Sequence, residues 1–259
     1  MSLRTNCYYK ASSLEDAFQK LKENPKNAII AGGFWMKKTG LSYETLIDLS
    51  ECGLDQIKEE NGFIHVGAMV TLRQFETNPS IKKLFNGATA FAVSEVMGPA
   101  FRNSATIGGS VFGRYPFSDV IAALLPLDVK VVLYPEQEMS LEEFLNVRGK
   151  IDGILKEIVI KKEEGKGYFK KVKATALDFP MVNISIVKRN NKNYIVVGSR
   201  PMVAAFAKKA MEAADKGDYV EAGNLAAEEL SYLDSMNISK EYRQDLVKVY
   251  VRRGLEEVK

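Results

Sequence analysis

Short apolar runs predict strands in the first part of the chain. The clearest run is Asn27–Ala31, which ends at the Gly32–Gly33 pair and is therefore expected to enter a tight turn. Four other runs have the length of a strand and are bounded by polar residues or glycine. They lie at residues 46–49, 63–66, 129–134 and 154–160.

Helical spacing of apolar residues predicts one helix from Ser80 to Val96, ended by the Gly98–Pro99 pair. A helix of one or two turns is predicted at Val120–Leu125. Ser140 and Glu143 have the spacing of a capping box, in which the hydroxyl and the carboxylate each satisfy a free backbone amide. A short helix is therefore expected to begin after Ser140.

The pattern changes after the charged segment Lys161–Gly167, which predicts a domain boundary. Beyond it, three strand-like runs precede three helical patterns, an order that predicts an α+β domain with a three-stranded sheet. Asp218 and Glu221 have capping-box spacing at the second helical pattern. The strand-like runs lie at residues 168–174, 181–187 and 194–197. The last helix, which begins near Ser239, is predicted to carry on one face Tyr242, Leu246, Val249 and Tyr250.

Composition indicates a folded protein and excludes several kinds of site. With 259 residues, 46% of them apolar and 27% charged, the chain is long enough for two domains. Its net charge of +3 is spread along the sequence, which argues against a nucleic-acid partner. The sequence shows neither a signal peptide nor an apolar membrane span, so a cytoplasmic protein without membrane insertion is expected. Two cysteines and one histidine cannot supply the ligands of an iron–sulfur cluster or a structural zinc ion, so no metal site is expected.

Two glycine-rich turns, Ala31–Gly33 and Thr106–Gly109, are the candidates for ligand binding. Glycine has no Cβ to keep a ligand at a distance, and consecutive backbone amides there can converge on an anion such as phosphate. Thr106 and Ser110 would add hydroxyl donors. Neither turn has the GxGxxG or GxxxxGK[ST] pattern, so the Rossmann and P-loop fingerprints are absent. A tight turn without a ligand is the alternative for each.

Three single residues raise the question of a functional role. Asp119 is either a first-turn carboxylate stabilised by the helix dipole or an acceptor for ribose or ribityl hydroxyls. Trp35 is either a core aromatic residue or a stacking surface for a planar ligand. His65 lies in an alternating strand pattern without a catalytic constellation in the sequence, so a structural role is expected.

The order of short motifs along the chain carries more information than any one of them. The motifs are Ala31–Gly33, Leu46–Ser50, His65–Ala68 with Thr71, Met97–Asn103, Thr106–Gly109, Pro116 with Asp119, Ala122–Asp128, Tyr168–Val172, Asp178–Asn183 and Glu241–Leu246. Together they resemble the FAD-binding (medium) subunit of the molybdenum hydroxylases, the group that includes xanthine dehydrogenase and carbon monoxide dehydrogenase. The resemblance extends over nearly the whole chain.

The resemblance implies an α+β fold in two domains. The first would be a two-part FAD-binding domain of the vanillyl-alcohol-oxidase (PCMH) type at residues 1–162, with subparts of about 1–52 and 53–162. The second would be a smaller α+β domain at residues 163–259, similar to the C-terminal domain of the carbon monoxide dehydrogenase flavoprotein.

The resemblance also implies that FAD is the cofactor and that its pyrophosphate lies between the two glycine-rich turns. Asp119 would lie near its hydroxyls, Val96 and Leu155 near the flavin, and Lys170 would reach it from the second domain. No side chain is expected to act as a catalytic acid, base or nucleophile. One side of FAD is expected to contact Ile29, Ile30, Ala31, Gly32, Gly33, Phe34, Trp35 and Met36. The other side is expected to contact Thr106, Ile107, Gly108, Gly109 and Ser110.

The implied function is that of an oxidoreductase subunit, which passes electrons from iron–sulfur clusters through FAD to NAD or another acceptor. The 2Fe–2S clusters are expected on a small partner subunit and the molybdopterin on a large one, where the substrate is selected. The low cysteine count fits this division, because the clusters must then lie on another chain.

Two positions depart from the family pattern. Phe34–Trp35 stands where Thr or Ser, often followed by Asp, is usual, and Ser110 stands where Asn is usual. The lost hydroxyl contact would cost about 1 kcal/mol unless aromatic stacking replaces it. A flavin-free scaffold subunit of the same kind of complex is therefore the alternative. An independent flavin oxidase has less support, because no His or Cys lies beside either glycine-rich turn to hold a covalent flavin.

Overall fold

The computed structural model describes residues 3–235 and 238–259, and within these residues twelve strands form three sheets. The N-terminal sheet is parallel, with β3 between β1 and β2. The predicted strands at 27–31 and 46–49 are confirmed as parts of β2 and β3. The elements of this region are β1 (Arg4–Lys10), α1 (Leu14–Glu23), β2 (Ala28–Ile30), α2 (Met36–Thr39) and β3 (Ser42–Asp48).

The central sheet is antiparallel, and its strand order is β4-β5-β8-β6-β7. Its strands are β4 (Ile57–Glu60), β5 (Phe63–Gly67), β6 (Val129–Tyr134), β7 (Gln137–Ser140) and β8 (Ile154–Lys161). The strands predicted at 63–66, 129–134 and 154–160 are confirmed. The connections between β5 and β6 and between β7 and β8 hold α3 (Leu72–Thr77), α4 (Pro79–Lys83), α5 (Ala88–Ser94), α6 (Pro99–Arg102), α7 (Ile107–Phe112), α8 (Asp119–Leu124) and α9 (Leu141–Asn146).

The single helix predicted from Ser80 to Val96 is wrong, because the chain breaks between α4 and α5. Phe85, Asn86 and Gly87 have φ angles of 47°, 57° and 79°, which belong to the left-handed region. Asn and Gly tolerate this conformation, and Phe85 is held there by burial in the core. The ring of Phe85 and its backbone pack directly against Gly165 and Gly167, so a long-range contact accompanies the break.

The C-terminal sheet is antiparallel and has strand order β12-β11-β10-β9. Its elements are β9 (Lys166–Val172), β10 (Val182–Arg189), β11 (Lys192–Gly198), β12 (Ala205–Phe206), α10 (Lys208–Asp215), α11 (Tyr219–Glu229) and α12 (Lys240–Val258). The three predicted strands and three predicted helices are confirmed. The expected three-stranded sheet is wrong by one strand, since β12 has two residues and is too short to leave an apolar pattern.

Both faces of the C-terminal sheet are covered. Successive side chains of a strand point to opposite faces. Val182, Ile184 and Ile186 of β10 therefore pack with α10, α11 and α12. Val187, which follows Ile186 and points to the opposite face, joins the core of the central region together with Phe169 of β9. The face of the sheet that carries Phe169 is thus turned toward the central region.

The face predicted for α12 is displaced from the one that the structure buries. Tyr242 is 54% exposed and Val249 is 37% exposed, while Leu246 and Tyr250 are only partly buried. The buried side is set by simultaneous contact with the sheet and α11. It consists of Arg243, Val247, Val251, Gly254, Leu255 and Val258.

The predicted capping boxes differ in outcome. Ser140 and Glu143 form both reciprocal bonds at the start of α9, so this prediction is confirmed. At α11 the Asp218 side chain accepts from the Glu221 amide, which is one half of a capping box. Across the described ranges, no helix combines the length and apolar character needed to cross a membrane.

Candidate cofactor-binding site

A cavity of about 750 Å³ is lined by residues from the N-terminal, central and C-terminal parts of the chain. Its volume lies within the roughly 300–1,000 Å³ typical of small-molecule and cofactor sites. Most of its lining residues are apolar, and the few polar groups come from separate segments. The cavity can therefore hold an extended, largely planar ligand that meets a small number of polar contacts.

The first glycine-rich turn exposes free backbone donors to this cavity. Residues 32–35 line it, and the described part of the chain offers no hydrogen-bond acceptor to their amide N–H groups. Gly33 has a φ of 67°, which favours glycine, and a Cβ at Gly32 would lie 2.3 Å from the Ser104 carbonyl oxygen. The glycines thus allow a turn whose unpaired amides are available to an anionic group.

The second glycine-rich turn differs, because the amides of Ile107, Gly108 and Gly109 already have acceptors. Thr106 is the N-cap of α7, and its hydroxyl oxygen accepts from the Gly109 amide at 3.1 Å. The amides of Ile107 and Gly108 donate to the carbonyls of Val70 and Ala68, each at 2.9 Å. The expectation that consecutive free amides of both turns converge on an anion is therefore wrong for residues 107–109.

Glycine at position 108 serves contact within the protein. A Cβ there would lie 2.5 Å from the Ala68 carbonyl oxygen, whereas a Cβ at Gly109 would meet only the Thr106 hydroxyl oxygen, at 3.2 Å. Gly108 is buried and Gly109 is exposed on the cavity wall. The two neighbouring glycines thus have different roles.

An aromatic cluster lies on the wall of the cavity beside the first turn. The ring centre of Trp35 is 4.9 Å from that of Tyr115, 5.0 Å from that of Phe117 and 5.9 Å from that of Phe179. The Lys38 ammonium lies 5.5 Å from the Trp35 ring centre. Burial raises the pKa of Tyr115. Trp35 is half-buried in this cluster and also lines the cavity, so the choice between a core residue and a stacking surface stays a prediction.

A buried ion pair lies on another part of the wall. Asp119 lies in the first turn of α8, and its Oδ2 is 2.8 Å from the Lys171 ammonium. Its Oδ1 accepts from the Asn183 side-chain amide at 2.7 Å. The two charged side chains are only 3% and 4% exposed. Burial raises the pKa of Asp119, and the Lys171 charge opposes this effect.

A second buried pair supports the segment before the second turn. The Arg102 guanidinium lies 2.8 Å from the Glu76 carboxylate and donates to the carbonyls of Val96 and Met97, both at 3.0 Å. Met97 lines the cavity with a φ of 49°, an uncommon conformation for a residue with a side chain. Arg102 therefore holds this turn in place.

Most residues expected from the sequence lie on the cavity wall. Ile30, Ile107 and Lys170 do not line it. Ile30 packs under Gly33, Ile107 is fully buried, and the Lys170 ammonium lies 5.3 Å from the centre of the Tyr250 ring. The expected residues found there are Ile29, Ala31, Gly32, Gly33, Phe34, Trp35, Met36, Val96, Thr106, Gly108, Gly109, Ser110, Asp119 and Leu155.

Many other wall residues were not expected from the sequence, among them Lys38, Met97, Tyr115, Phe117, Lys171 and Phe179. A signal for Lys171 was present, because it shares a strand face with the apolar Phe169. His65 lies outside the cavity wall, with Nδ1 at 3.1 Å from a carboxylate oxygen of Glu157 on β8.

Comparison with known proteins gives one family match. Residues 2–161 match the family described as the FAD binding domain in molybdopterin dehydrogenase. The nicotinate dehydrogenase FAD-subunit of Eubacterium barkeri is 28% identical in an alignment of length 201 that covers 68% of this chain and 66% of that protein. The chain thus spans slightly less than two thirds of this relative's length.

Two further comparisons extend over the whole chain. The nicotine 6-hydroxylase medium subunit of Paenarthrobacter nicotinovorans is 25% identical, with 99% of this chain and 98% of that protein covered. A chain of the carbon monoxide dehydrogenase structure from Hydrogenophaga pseudoflava superposes with a TM-score of 0.91 at 21% identity, covering 100% of this chain and 98% of that chain. At this identity the superposition shows a shared fold, and of the α+β fold expected from the sequence the combination of helices and sheets is confirmed.

Proposed function

Because this chain belongs to the family of FAD-binding domains in molybdopterin dehydrogenases, we propose that it is the FAD-binding electron-transfer subunit of a multi-subunit molybdenum hydroxylase. The family resemblance recognised from the order of motifs is thereby confirmed. FAD is the cofactor that this family binds, and we place it in the cavity described above. The observation that carries this placement is the run of free amides of residues 32–35 on the cavity wall.

The residues on the wall fit the chemistry of FAD. A pyrophosphate is an anion, and unpaired backbone amides are suitable donors for it, so we assign it to the Gly32–Trp35 turn. Thr106 and Ser110 provide hydroxyl groups, and the exposed Gly109 leaves room beside them. The carboxylate of Asp119 can accept hydrogen bonds from sugar-chain hydroxyls.

The remaining contacts in the proposal are apolar. Val96 and Leu155 offer apolar surface to a planar ring, and Ile29 and Met36 extend this surface beside the first turn. Lys170 is left out of the proposed contacts because its ammonium faces Tyr250 on the other side of β9. The division into domains at residue 162 remains part of the proposal, supported by the segments that the sheets occupy.

Bound FAD would supply the exchange between one-electron and two-electron transfer. The residues of this chain bind and orient the cofactor and exclude water with apolar side chains. We propose that electrons arrive from 2Fe–2S clusters on a small partner subunit and leave to NAD or another acceptor. The substrate would be oxidised at molybdopterin on a large partner subunit.

A flavin-free scaffold subunit is the second candidate, and the aromatic cluster is the observation that favours it. Trp35 stands where the family usually has a polar residue, and its ring packs on Tyr115 and Phe117 at the cavity wall. If these rings fill the space that the cofactor needs, the fold would persist without FAD.

Reconstitution tests the two candidates. The purified full chain is incubated with FAD and desalted, and the retained flavin absorbance is measured alongside Trp35 fluorescence during a titration. Trp35 is the only tryptophan in the sequence, so a change in its emission reports on the cavity wall. We expect retained flavin and quenched fluorescence, and Trp35→Phe serves as the control that removes the fluorescence signal. A folded chain without retained flavin or quenching, with partner subunits present as well as absent, would favour the scaffold.

A further inference from the structure

The two lysines of β9 that follow Phe169 point to opposite faces of the sheet. Tyr168 and Lys170 lie on the face toward α12, where the Lys170 ammonium meets the Tyr250 ring. Phe169 and Lys171 lie on the face toward the central region. Strand alternation therefore brings the ammonium of Lys171, and not that of Lys170, to the cavity wall.

Lys171 and Asn183 form one unit around the Asp119 carboxylate. They are cross-strand partners in the pairing of β9 with β10, and each donates to a different oxygen of Asp119, at 2.8 and 2.7 Å. The Lys171 ammonium also donates to the Glu95 carbonyl at the end of α5, at 3.1 Å. The C-terminal sheet thus holds a carboxylate that belongs to the central region.

The arrangement leaves Asp119 able to bind a ligand. An ionised carboxylate has about four lone-pair positions, and one donor per oxygen occupies two of them. Asp119 and Lys171 both line the cavity, while Asn183 lies behind them and is fully buried. The orientation of the Asp119 carboxylate at the cavity is therefore determined by donors from the C-terminal sheet.

We propose that Lys171 and Asn183 are positioning residues, which hold Asp119 for FAD binding and so make the C-terminal sheet part of the cofactor site. This inference rests on the proposed function, in which Asp119 accepts hydrogen bonds from the cofactor's hydroxyls. It differs from a purely structural role because the pair then contributes to FAD affinity in a chain that is fully folded.

Lys171→Met and its neighbour Lys170→Met form a matched pair of variants for the test. Each removes one ammonium from β9, but only the first removes it from Asp119. The dissociation constant for FAD is measured on the full chain by titration, and the unfolding temperature is measured with and without saturating FAD. The FAD-dependent rise in that temperature reports ligand binding separately from the stability of the free chain.

We expect Lys171→Met to weaken FAD binding by about tenfold or more, the size of a lost charge-assisted hydrogen bond, and Lys170→Met by less than about twofold. Lys171→Arg should restore part of the affinity. Asp119→Asn should weaken FAD binding as well. The double variant Asp119→Asn/Lys171→Met should lose less binding free energy than the sum of the two single variants' losses, because both residues act through one contact.

The double variant also covers the case in which Lys171→Met fails to fold, since it removes both charges from the interior together. If the double variant is folded and binds FAD as the wild type does, the proposal is overturned. It is equally overturned if folded Lys171→Met binds FAD within about twofold of wild type. The same holds if the losses of FAD binding free energy in the two single variants add fully in the double variant. If the wild type itself binds no FAD, the proposed function fails first, and the positioning role fails with it.

Discussion

Replacing Gly108 and Gly109 by alanine, one at a time, separates a packing role from a ligand-binding role within one turn of α7. Both glycines are helical and adjacent, so the change in helix propensity is the same for both and favours alanine by about 1 kcal/mol. What differs is the space for the new methyl group. At position 108 it would lie 2.5 Å from the Ala68 carbonyl oxygen and 2.7 Å from the Ala68 Cβ, whereas at position 109 it would meet the Thr106 hydroxyl oxygen at 3.2 Å.

Gly108→Ala should therefore destabilise the chain. Overpacking costs typically about 1–3 kcal/mol, and a contact with backbone atoms belongs at the upper end, because α7 and the chain after β5 must move apart. After subtraction of the helix-propensity gain, a net loss of about 2 kcal/mol is expected. For a protein of this size, that loss lowers the unfolding temperature by roughly 4–8 °C.

Gly109→Ala should leave stability unchanged or raise it by up to about 1 kcal/mol, the gain in helix propensity, and should weaken FAD binding. Its methyl group displaces the Thr106 hydroxyl by a few tenths of an ångström at most. Apart from its chain neighbours and its own helix backbone, it meets no other atom of the described residues within 4 Å, and Gly109 itself lies on the cavity wall. Unfolding of the flavin-free chain, followed by circular dichroism, measures the first effect, and FAD titration measures the second. Equal stability of the two variants would refute the packing role of Gly108, and unchanged FAD affinity of Gly109→Ala would remove Gly109 from the proposed site.

Two other predictions concern buried charges and alkaline pH. Arg102→Met leaves the Glu76 carboxylate buried without its main partner and should cost about 3–5 kcal/mol, whereas Arg73→Met removes a largely exposed partner of the same carboxylate and should cost less than about 1 kcal/mol. Equal losses in denaturant unfolding would contradict the assignment of the buried pair. Burial raises the pKa of Tyr168 to about 12, so above pH 10 the unfolded chain releases this proton first and stability falls as the pH rises toward 12. Tyr168→Phe should reduce that fall, measured as unfolding temperature against pH, and Tyr242→Phe at an exposed position should not; a fall of the same size in Tyr168→Phe would show that other groups cause it.

Local patterns predicted the elements that depend on nearby residues. These elements are the strand before the Gly32–Gly33 pair, the strand that ends at Gly67, the capping box of Ser140 and Glu143, and the N-cap of the last helix at Ser239. Each follows from apolar period or side-chain chemistry within a few positions. The order of motifs also identified the family, because the spacing of many weak signals is specific where each signal is not.

The errors arose where distant segments compete with local preference. Helical spacing continued through Phe85, but with a positive φ there its ring lies against Gly165, and its Cβ and carbonyl oxygen lie against Gly167. The buried side of α12 was likewise displaced from the apolar stripe, because this helix must contact the C-terminal sheet and α11 at once.

The sequence by itself determined that two glycine-rich turns exist and that β9 carries two lysines in succession. Only the tertiary structure decided what each turn and each lysine contacts. The amides of the turn at Gly108 are used by Ala68 and Val70, so free donors remain at residues 32–35 of the first turn. Lys171 reaches Asp119 while Lys170 faces Tyr250, because strand direction and sheet packing select the face toward the cavity. Hydrogen-bond partners and strand faces depend on residues far away in the chain, and a local pattern contains neither.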